Sequence, residues 1–494
     1  MEIELWLICA TLAVVSLLYF LANPTRRAGT RRMPPGPTPL PVIGNLLCLR
    51  RGNLHHTLAR HARAHGPVMT LRLGLTTAVV VSSRDAAREA FTRHVPDAAR
   101  GLGFADRSMV WLPSSDPLWK SLRGIAAAHA FSPRALAAAR GVRERKVRDM
   151  VGHFRGRAGR EVDVGQALYA GVLNLSSALC SVDVVDMGAA EPGQGVRELV
   201  EELVAVIAKP NISDLVPFLR RLDLQGWRRW SAMRIGKIFL ILDGIIDCRM
   251  ANTSTEEKLS HGDFLDSLLE LFSTGKIARD GLTAILFDLF TAGSDTMALT
   301  VEWAMAELLR NPGVMAKVRA EIYDALGGKE TIGETDVAGL PYLQAVVKEA
   351  MRLHPVAPIL LPHRAEEEGV EIGGYAVPKG STVIFNAWAI MRDPAAWERP
   401  DEFVPERFLG TADQVVDFRG KAFEFIPFGS GRRLCPGVPM AERVVPFILA
   451  SLLRAFEWRL PDGMSAEELD VSEKFTTANV MAVPLKAVPV VVTE

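Results

Sequence analysis

Hydrophobic positions along the chain follow two spacings, and the helical spacing dominates. The segment from Asn53 to Gly66 predicts a helix, whereas LRLGLTTAVVVSS has the alternation of two paired strands. Helical periods continue from Asp85 to Phe290. A second strand-rich stretch, VEIGGYAVPKGSTVIFNAWAI, carries turn signals at Gly373-Gly374 and Pro378-Lys379-Gly380. The pattern predicts one mainly α-helical body with small β-sheets.

One predicted helix differs from the others in length and in polarity. GLTAILFDLFTAGSDTMALTVEWAMAELLRNP is apolar on most faces from about Gly281 to Arg310, and Asn311-Pro312 should end it. A helix of this kind is expected to cross the body and to be buried in its core. The polar residues in its middle, Ala292-Gly293-Ser294-Asp295-Thr296, therefore require an explanation.

The amino-terminal end of the chain predicts a membrane anchor. Leu5 to Ala22 carries no charge, and about 20 apolar residues suffice to span a bilayer. Acidic residues precede this run and arginines follow it, which is the reverse of a cleaved signal peptide. We therefore expect a transmembrane signal anchor at residues 1–22, a basic and Pro-rich hinge at 23–45 that includes PPGP, and a cytosolic domain at 46–494.

Charge and cysteine content restrict the possible partners. Lys plus Arg and Asp plus Glu both number 57, so no overall field attracts nucleic acid. The cysteines, at positions 9, 48, 180, 248 and 435, show no CxxC spacing, which argues against a disulfide framework or a zinc ribbon and suits a reducing compartment. His55, His56, His61 and His65 lie close together, but we find no carboxylate that completes a metal site there and predict none.

The stretch FGSGRRLCPG concentrates the chemistry of the chain. Cys435 could supply a soft thiolate ligand for iron, kept charged by backbone N–H groups. Glycines at 429, 431 and 437 would let the backbone pass close under a flat macrocycle, and Arg433 could reach a carboxylate at its edge. The alternative is an inert buried cysteine in a turn.

This stretch resembles the FxxGxRxCxG loop of the cytochrome P-450 superfamily, and four other family motifs occur in the expected order. Glu349-Ala350-Met351-Arg352 is similar to ExxR and Pro405-Glu406-Arg407-Phe408 to PERF. Trp119 to Arg123 is similar to WxxxR, and Ala292 to Thr296 to the A/G-G-x-D/E-T of the long central helix. The resemblance covers essentially the whole chain and implies the cytochrome P-450 fold with an anchor helix.

The resemblance implies a role for each motif. Cys435 would ligate the iron of haem b, and the other cofactor-binding residues would be Trp119, Arg123, Arg364, Phe428, Arg433 and Gly437. Glu349, Arg352 and Arg407 would form a buried network that braces the cysteine loop. Asp295 and Thr296 would be the catalytic proton relay, although Met297 replaces the Thr or Ser that often follows. From the residues alone, a solvated Glu349–Arg352 pair, a Trp119–Arg123 cation–π pair and a core threonine at 296 remain open.

Two further stretches suggest a branch of the family. NISDLVPFLRRLDLQG and EKFTTANVMAVPL resemble plant microsomal members, in the group of geraniol hydroxylases and grass diterpene hydroxylases. This resemblance implies an endoplasmic reticulum enzyme that hydroxylates a labdane-related diterpene olefin with O2 and electrons from an NADPH-cytochrome reductase. The alternatives are a monoterpenol hydroxylase, a haem-thiolate isomerase or dehydratase, and a non-catalytic haem sensor.

The resemblance also implies a substrate pocket without a charged anchor. Its predicted lining residues are nearly all aliphatic or aromatic: Val110, Trp111, Phe287, Leu289, Ala292, Ala357, Ile359, Leu360, Val480 and Met481. Burying an unpaired carboxylate among such residues would be costly. The predicted substrate is therefore an apolar terpenoid. The anchor predicts contact with membrane lipid, and the balanced charge predicts no nucleic acid partner.

Overall fold

The fold is taken from a computed structural model of the chain. It describes residues 32–50, 52–93, 97–98, 106–180, 187, 223–253, 262–329, 331–410 and 416–492. The predicted anchor at residues 1–22 lies outside the described residues.

Helices form most of the described body. They are α1 Leu54–His65, α2 Arg84–Arg93, α3 Pro117–Ile125, α4 Pro133–Ala138, α5 Arg140–Arg155, α6 Val164–Ser177, α7 Trp227–Thr253, α8 Phe264–Ser273, α9 Arg279–Arg310, α10 Pro312–Leu326, α11 Pro341–Leu353, α12 Ala387–Ile390 and α13 Val438–Ala455.

The strands are short and form four small sheets. They are β1 Val68–Leu73, β2 Thr76–Val81, β3 Asp97–Ala98, β4 Val162–Asp163, β5 His363–Arg364, β6 Glu371–Ile372, β7 Tyr375–Ala376, β8 Thr382–Phe385, β9 Phe456–Arg459, β10 Glu473–Phe475, β11 Asn479–Met481 and β12 Lys486–Val491. The largest sheet has the order β1-β2-β8-β5-β3, with β2 and β8 parallel and the other pairs antiparallel. The expectation of a mainly α body with small sheets is confirmed.

Local sequence explains where these elements begin and end. At α3, the Asp116 side chain accepts a hydrogen bond from the Leu118 N–H at 2.8 Å, and Pro117 occupies the first helical position, where its missing N–H costs nothing. The β1–β2 hairpin turns at Gly74, whose φ of 60° lies in the left-handed region. Both the predicted first helix and the predicted strand pair are confirmed.

Helix α9 forms the centre of the described body. Its 32 residues span about 48 Å, and it packs against α6, α11 and α13. The helix ends at Arg310, and Pro312 begins α10, as the Asn311-Pro312 pair predicts. Among the described residues this is the one helix long and apolar enough to cross a membrane, but 72% of its most apolar window is buried. It is therefore a core helix.

The described part of the predicted hinge is docked on the body. The Thr70 N–H donates to the Pro35 carbonyl at 2.7 Å, and the Asn45 N–H donates to the Arg72 carbonyl at 2.6 Å. A Cβ added at Gly36 would lie 2.0 Å from the Thr70 carbonyl oxygen, so only glycine allows this close approach. Pro35 and Asn45 of the predicted hinge are therefore bonded to β1.

Candidate functional site

The cysteine loop lies between a short 3-10 turn, Gly431–Arg433, and the start of α13. The Cys435 N–H donates to the Phe428 carbonyl at 3.1 Å and closes the loop. Gly429 and Gly431 have φ values of 73° and 69°, a region that side chains other than glycine rarely adopt. The loop holds the cysteine at a fixed place immediately before the amino-terminal end of a long helix.

The surroundings of the Cys435 sulfur favour a ligated thiolate. Burial raises the pKa of the Cys435 thiol. The N–H groups of Gly437 and Val438 and the charge of Arg123 act in the opposite direction, because they stabilise the thiolate. A free thiol here would hold its proton, whereas a metal ion would displace the proton and gain a sulfur already supplied with N–H donors.

Two arginines converge beside this loop, and both lie close to one indole ring. The Arg123 and Arg433 guanidinium carbons lie 5.5 and 5.3 Å from the Trp119 ring centroid. Arg123 Nη2 donates to the Leu434 carbonyl at 2.7 Å, next to the cysteine, and Arg433 donates to the carbonyls of Val110 and Leu112. The structure therefore brings together three of the predicted cofactor-binding residues.

Arg364 lies apart from this group. Its side chain is exposed on β5, and no hydrogen bond or ion pair among the described residues joins it to Trp119, Arg123 or Arg433. The predicted role of Arg364 has no support from these contacts.

Glu349 is the centre of a buried ionic network. Neither its side chain nor that of Arg352 is exposed, and Arg352 donates to both carboxylate oxygens at 2.7 and 2.9 Å. Arg407 Nε and the Val404 N–H donate to Glu349 Oε1 at 2.9 and 2.8 Å. Because the pair is fully buried and bidentate, it is not a solvated surface bridge.

This network is connected to the segment that leads into the cysteine loop. The guanidinium carbons of Arg352 and Arg407 lie 5.4 and 5.8 Å from the ring centroid of Trp397. Trp397 Nε1 donates to the Glu424 carbonyl at 3.3 Å, four residues before Phe428. The contacts agree with a bracing role for the three ionised residues.

One face of α9 is open in the middle of an otherwise buried helix. Ala292 and Thr296, one turn apart, are exposed, and Asp295 beside them is half-buried. The Thr296 hydroxyl donates to the Ala292 carbonyl at 2.7 Å, so it is held at the helix surface. Thr296 is therefore not a core threonine. Met297 is buried on the other side of the helix, so the departure from the family pattern does not alter this open face.

The other predicted pocket residues divide into two groups. Leu289 lies near Thr296 on the same helical face, whereas Phe287 lies on the opposite face and packs edge-on against Phe239 at 5.3 Å. Val480 and Met481 are neighbours on β11 and point to opposite sides of the strand. The remaining members are half-buried, except Leu360, which is buried: Val110, Trp111, Ala357, Ile359 and Leu360. The predicted pocket lining, including Phe287 and both β11 residues, therefore stays a prediction.

Sequence reasoning missed Asp288. This carboxylate is buried in α9, accepts from the Ser108 hydroxyl at 2.7 Å and accepts from the Met109 N–H at 2.8 Å. It thus ties the segment that contains Val110 and Trp111 to the helix that contains the open face. A charged residue in the apolar run ILFDLF was the available signal, because such a residue needs partners from elsewhere in the fold.

We expect Asp288→Asn to remove a pH dependence of stability. Burial raises the pKa of Asp288 to about 7, so the folded state binds more protons than the unfolded state between about pH 4 and about pH 7. The contribution of Asp288 to the free energy of unfolding therefore falls as pH rises, by about 2 kcal/mol from pH 5 to pH 7. Denaturant unfolding of both proteins at several pH values measures this difference, with Asp280→Asn as a control for charge loss on the same helix. A constant difference would contradict the assignment.

The histidines of α1 correct another prediction. His55 and His56 do meet a carboxylate, because Glu473 Oε2 lies 3.0 Å from His55 Nε2 and 2.8 Å from His56 Nε2. This carboxylate is 418 residues away along the chain from His55, so inspection of the neighbouring sequence could not find it. The prediction that no carboxylate completes a site there is wrong.

A glycine-rich cysteine loop with two convergent arginines, braced by a Glu-Arg-Arg network and accompanied by a long core helix with an open Asp-Thr face, defines a class of protein. The chain belongs to the cytochrome P450 family, whose model matches residues 34–482. Members of this family are monooxygenases with a haem held by a cysteine thiolate.

Particular relatives narrow the comparison. The chain is 67% identical over 505 residues to Cytochrome P450 76M5 of Oryza sativa subsp. japonica, and 99% of each chain is covered. It is 61% identical over 498 residues to both Oryzalexin D synthase and Ent-cassadiene C11-alpha-hydroxylase 1 of the same organism, again with 99% of each chain covered.

The residues present fit a haem. Cys435 offers a soft sulfur with N–H donors, Arg123 and Arg433 offer guanidinium groups for carboxylates, and α9 offers an exposed patch of small residues within a buried core. The chain therefore has a ligand for the iron, cationic groups for the propionates and a patch of small residues suited to the flat face of the macrocycle.

Proposed function

We propose that this chain is a haem-thiolate monooxygenase that hydroxylates a labdane-related diterpene olefin at a ring carbon. One atom of O2 enters a C–H bond, and the other leaves as water with two electrons from NADPH and two protons. The observation that carries the proposal is the combination of the Cys435 loop with the open Asp295–Thr296 face of α9. Together they supply an iron ligand and a proton-donating surface.

The assignment of roles follows from the contacts. When bound, haem b supplies the chemistry of O2 activation, for which a thiolate ligand favours O–O cleavage. Cys435 would hold the iron, and Arg123 and Arg433, whose guanidinium groups lie beside the cysteine loop, would bind the propionates. Trp119 would keep both guanidinium groups in place, because both contact its ring and its Nε1 is itself fixed by donating to the Met109 carbonyl at 3.1 Å.

Thr296 and Asp295 transfer protons on the open face. The Thr296 hydroxyl can move its hydrogen bond from the Ala292 carbonyl to an acceptor above the helix, because it is exposed on that side. Asp295, half-buried beside it, restores the proton from the solvent side.

Thr296→Ala is expected to uncouple NADPH consumption from product formation. Only one hydroxyl on an exposed face is lost, so folding and haem binding should persist while product falls by about 10- to 100-fold and hydrogen peroxide rises. NADPH, peroxide and product are measured together in the reconstituted system.

Thr300→Ala is the matched control for Thr296→Ala. Thr300 makes the same kind of bond, to the Thr296 carbonyl at 2.7 Å, but it is buried one turn further along α9. It should leave the coupling ratio close to that of the wild type. Equal uncoupling in both variants would assign a structural role to Thr296.

An apolar olefin suits the pocket better than an acid or a phenol. The predicted lining residues offer aliphatic and aromatic groups, including Trp111, Ala292 and Ile359. Such pockets select by shape, and a missing methylene changes binding by about 1 to 3 kcal/mol, so related olefins should also react. The similarity to Oryzalexin D synthase and Ent-cassadiene C11-alpha-hydroxylase 1 supports a diterpene.

A steady-state assay separates this function from its rivals. A monooxygenase consumes NADPH when substrate is added, whereas a haem-thiolate isomerase, a dehydratase or a haem sensor does not. The Asp295-Thr296 pair favours the monooxygenase, because the others need no proton relay. A monoterpenol such as geraniol is the rival substrate within the same family.

The remaining proposals concern location and electron supply. The uncharged run from Leu5 to Ala22 and the arginines after it support a single anchor in the endoplasmic reticulum membrane, with the body on the cytosolic side. Exposed Arg432, three residues before Cys435, supports docking of an acidic NADPH-cytochrome reductase on that face. Deleting residues 1–22 should weaken membrane attachment and preserve haem binding. Asn174 begins an Asn-X-Ser sequon, so its glycosylation in cells would show that the body lies on the lumenal side and would contradict the orientation.

A further inference from the structure

A polar cluster away from the cysteine loop joins both ends of the described chain. It consists of His55 and His56 at the start of α1, His354 at the end of α11, and Glu473 at the start of β10. His55 and His56 each approach Glu473 Oε2, while His354 Nδ1 lies 3.1 Å from Glu473 Oε1. None of these residues takes part in the proposed oxidation.

The two oxygens of the Glu473 carboxylate face different surroundings. Oε1 faces His354 and Arg392, whose Nη2 is 3.8 Å away. Oε2 faces only imidazoles among the described residues, with His55 Nε2 at 3.0 Å and His56 Nε2 at 2.8 Å. The Oε2 side is therefore where two imidazole nitrogens and one carboxylate oxygen converge.

From this geometry we propose that His55 Nε2, His56 Nε2 and Glu473 Oε2 form a binding site for a divalent transition metal ion, with Zn²⁺ as the best fit. Two imidazoles and one carboxylate with an open fourth position are a common donor set for zinc. With metal–ligand bonds of about 2.0 to 2.1 Å, tetrahedral ligands lie about 3.3 Å apart. The observed spacings of 3.0 and 2.8 Å need to open by only a few tenths of an ångström.

Metal binding at Nε2 would fix which ring nitrogen of His55 carries the proton. His55 Nδ1 is buried and has no hydrogen-bond partner. A metal at Nε2 places the imidazole proton on Nδ1, where nothing among the described residues accepts it, so the metal–ligand bonds must exceed the cost of one unpaired buried N–H. His56 has the freedom to adjust, since 42% of its side chain is exposed.

The adjoining cavity gives the ion access and a favourable charge. It has a volume of about 690 Å³ and is bordered by His56, His354 and Glu473. Four carboxylates and two guanidinium groups line it, so its charge is −2 when the histidines are not counted. These residues are Glu307, Asp401, Glu402, Glu473, Arg310 and Arg392. Such a lining attracts a divalent cation rather than an anion, and the volume leaves room for water as the fourth ligand.

The bound ion would fasten the β10–β11 hairpin to α1. Glu473 is the first residue of this hairpin and pairs with Met481. Zinc binding should therefore raise the thermal midpoint of the protein, since an ion that binds only the folded state stabilises it. The proposal rests on these contacts and does not depend on the identity of the substrate.

Calorimetric titration of the full-length haem protein with ZnSO4 tests the site. His61 and His65 form a second pair on α1, with ring centroids 6.2 Å apart, so both are replaced by alanine in every protein compared. We expect one saturable site in this parent, at least about tenfold weaker binding after His56→Ala, and a similar loss after Glu473→Gln. Mg²⁺ at the same concentration should not compete, because it disfavours imidazole ligands.

His56→Ala is the decisive variant, because its exposed side chain can be removed without opening the core. Loss of both zinc affinity and the zinc-dependent rise in thermal midpoint supports the site. Equal zinc affinity in the parent and in His56→Ala, or a parent that binds zinc more weakly than about 1 mM, would show that the cluster is only a hydrogen-bonded one.

Discussion

Cys435→Ala should abolish the thiolate-type Soret band of the reduced carbon monoxide complex. The sulfur is held by the loop that the Phe428 carbonyl closes, and it receives N–H groups from Gly437 and Val438. No other cysteine in the described residues lies in a comparable turn. Turnover should fall by at least about 10³-fold, because the thiolate donation that favours O–O cleavage is lost.

Cys180→Ala is the matched control for this substitution. Cys180 is buried, and burial raises the pKa of its thiol to about 12, so it should be chemically inert. Its variant should keep the thiolate-type band. If Cys435→Ala retained the band, the assignment of the ligand would be wrong.

Glu349→Gln is expected to cost about 3 to 5 kcal/mol in the free energy of unfolding and to reduce haem incorporation sharply. The amide keeps the shape of the carboxylate but leaves the buried guanidinium of Arg352 and the nearly buried one of Arg407 without their counter-charge. The defect should reach the cysteine loop through Trp397. Denaturant unfolding and the fraction of protein that shows the thiolate-type band measure both effects.

Glu402→Gln provides a control with the same change of charge. Glu402 pairs with Arg399 at 3.0 Å, three residues apart like Glu349 and Arg352, but both side chains are more than half exposed. Its loss should change the free energy of unfolding by less than about 1 kcal/mol. Similar effects of the two substitutions would contradict a bracing role for the buried pair.

Local pattern was sufficient for much of the fold and for the cysteine loop. Helix α9 and its end at Asn311-Pro312 follow from an apolar run and a helix breaker, both of which are local features. The glycines of the Cys435 loop are also a local feature, and Gly429 and Gly431 adopt the left-handed backbone that glycine allows. The roles of Arg123 and Arg407 required family resemblance, because their partners Leu434 and Glu349 lie 311 and 58 residues away along the chain.

What the sequence could not predict depends on tertiary contacts. Asp288 is bonded to Ser108, and Glu473 to His55, across 180 and 418 residues. Family resemblance placed Phe287 in the predicted pocket, and its edge-on contact with Phe239 is one that the sequence did not indicate. The PPGP segment indicated a hinge. Its contact with β1, through the hydrogen bond from the Thr70 N–H to the Pro35 carbonyl, could not be predicted from the segment itself.

The most direct test of the proposed function is product analysis of the full-length enzyme, reconstituted with a plant NADPH-cytochrome reductase. An ent-cassadiene-type olefin, a pimaradiene-type olefin and geraniol are supplied in parallel, and products are identified by mass spectrometry. We expect NADPH-dependent, singly hydroxylated diterpenes, with at least one diterpene olefin turned over faster than geraniol. Efficient oxidation of geraniol together with no oxidation of either diterpene would contradict the proposed substrate.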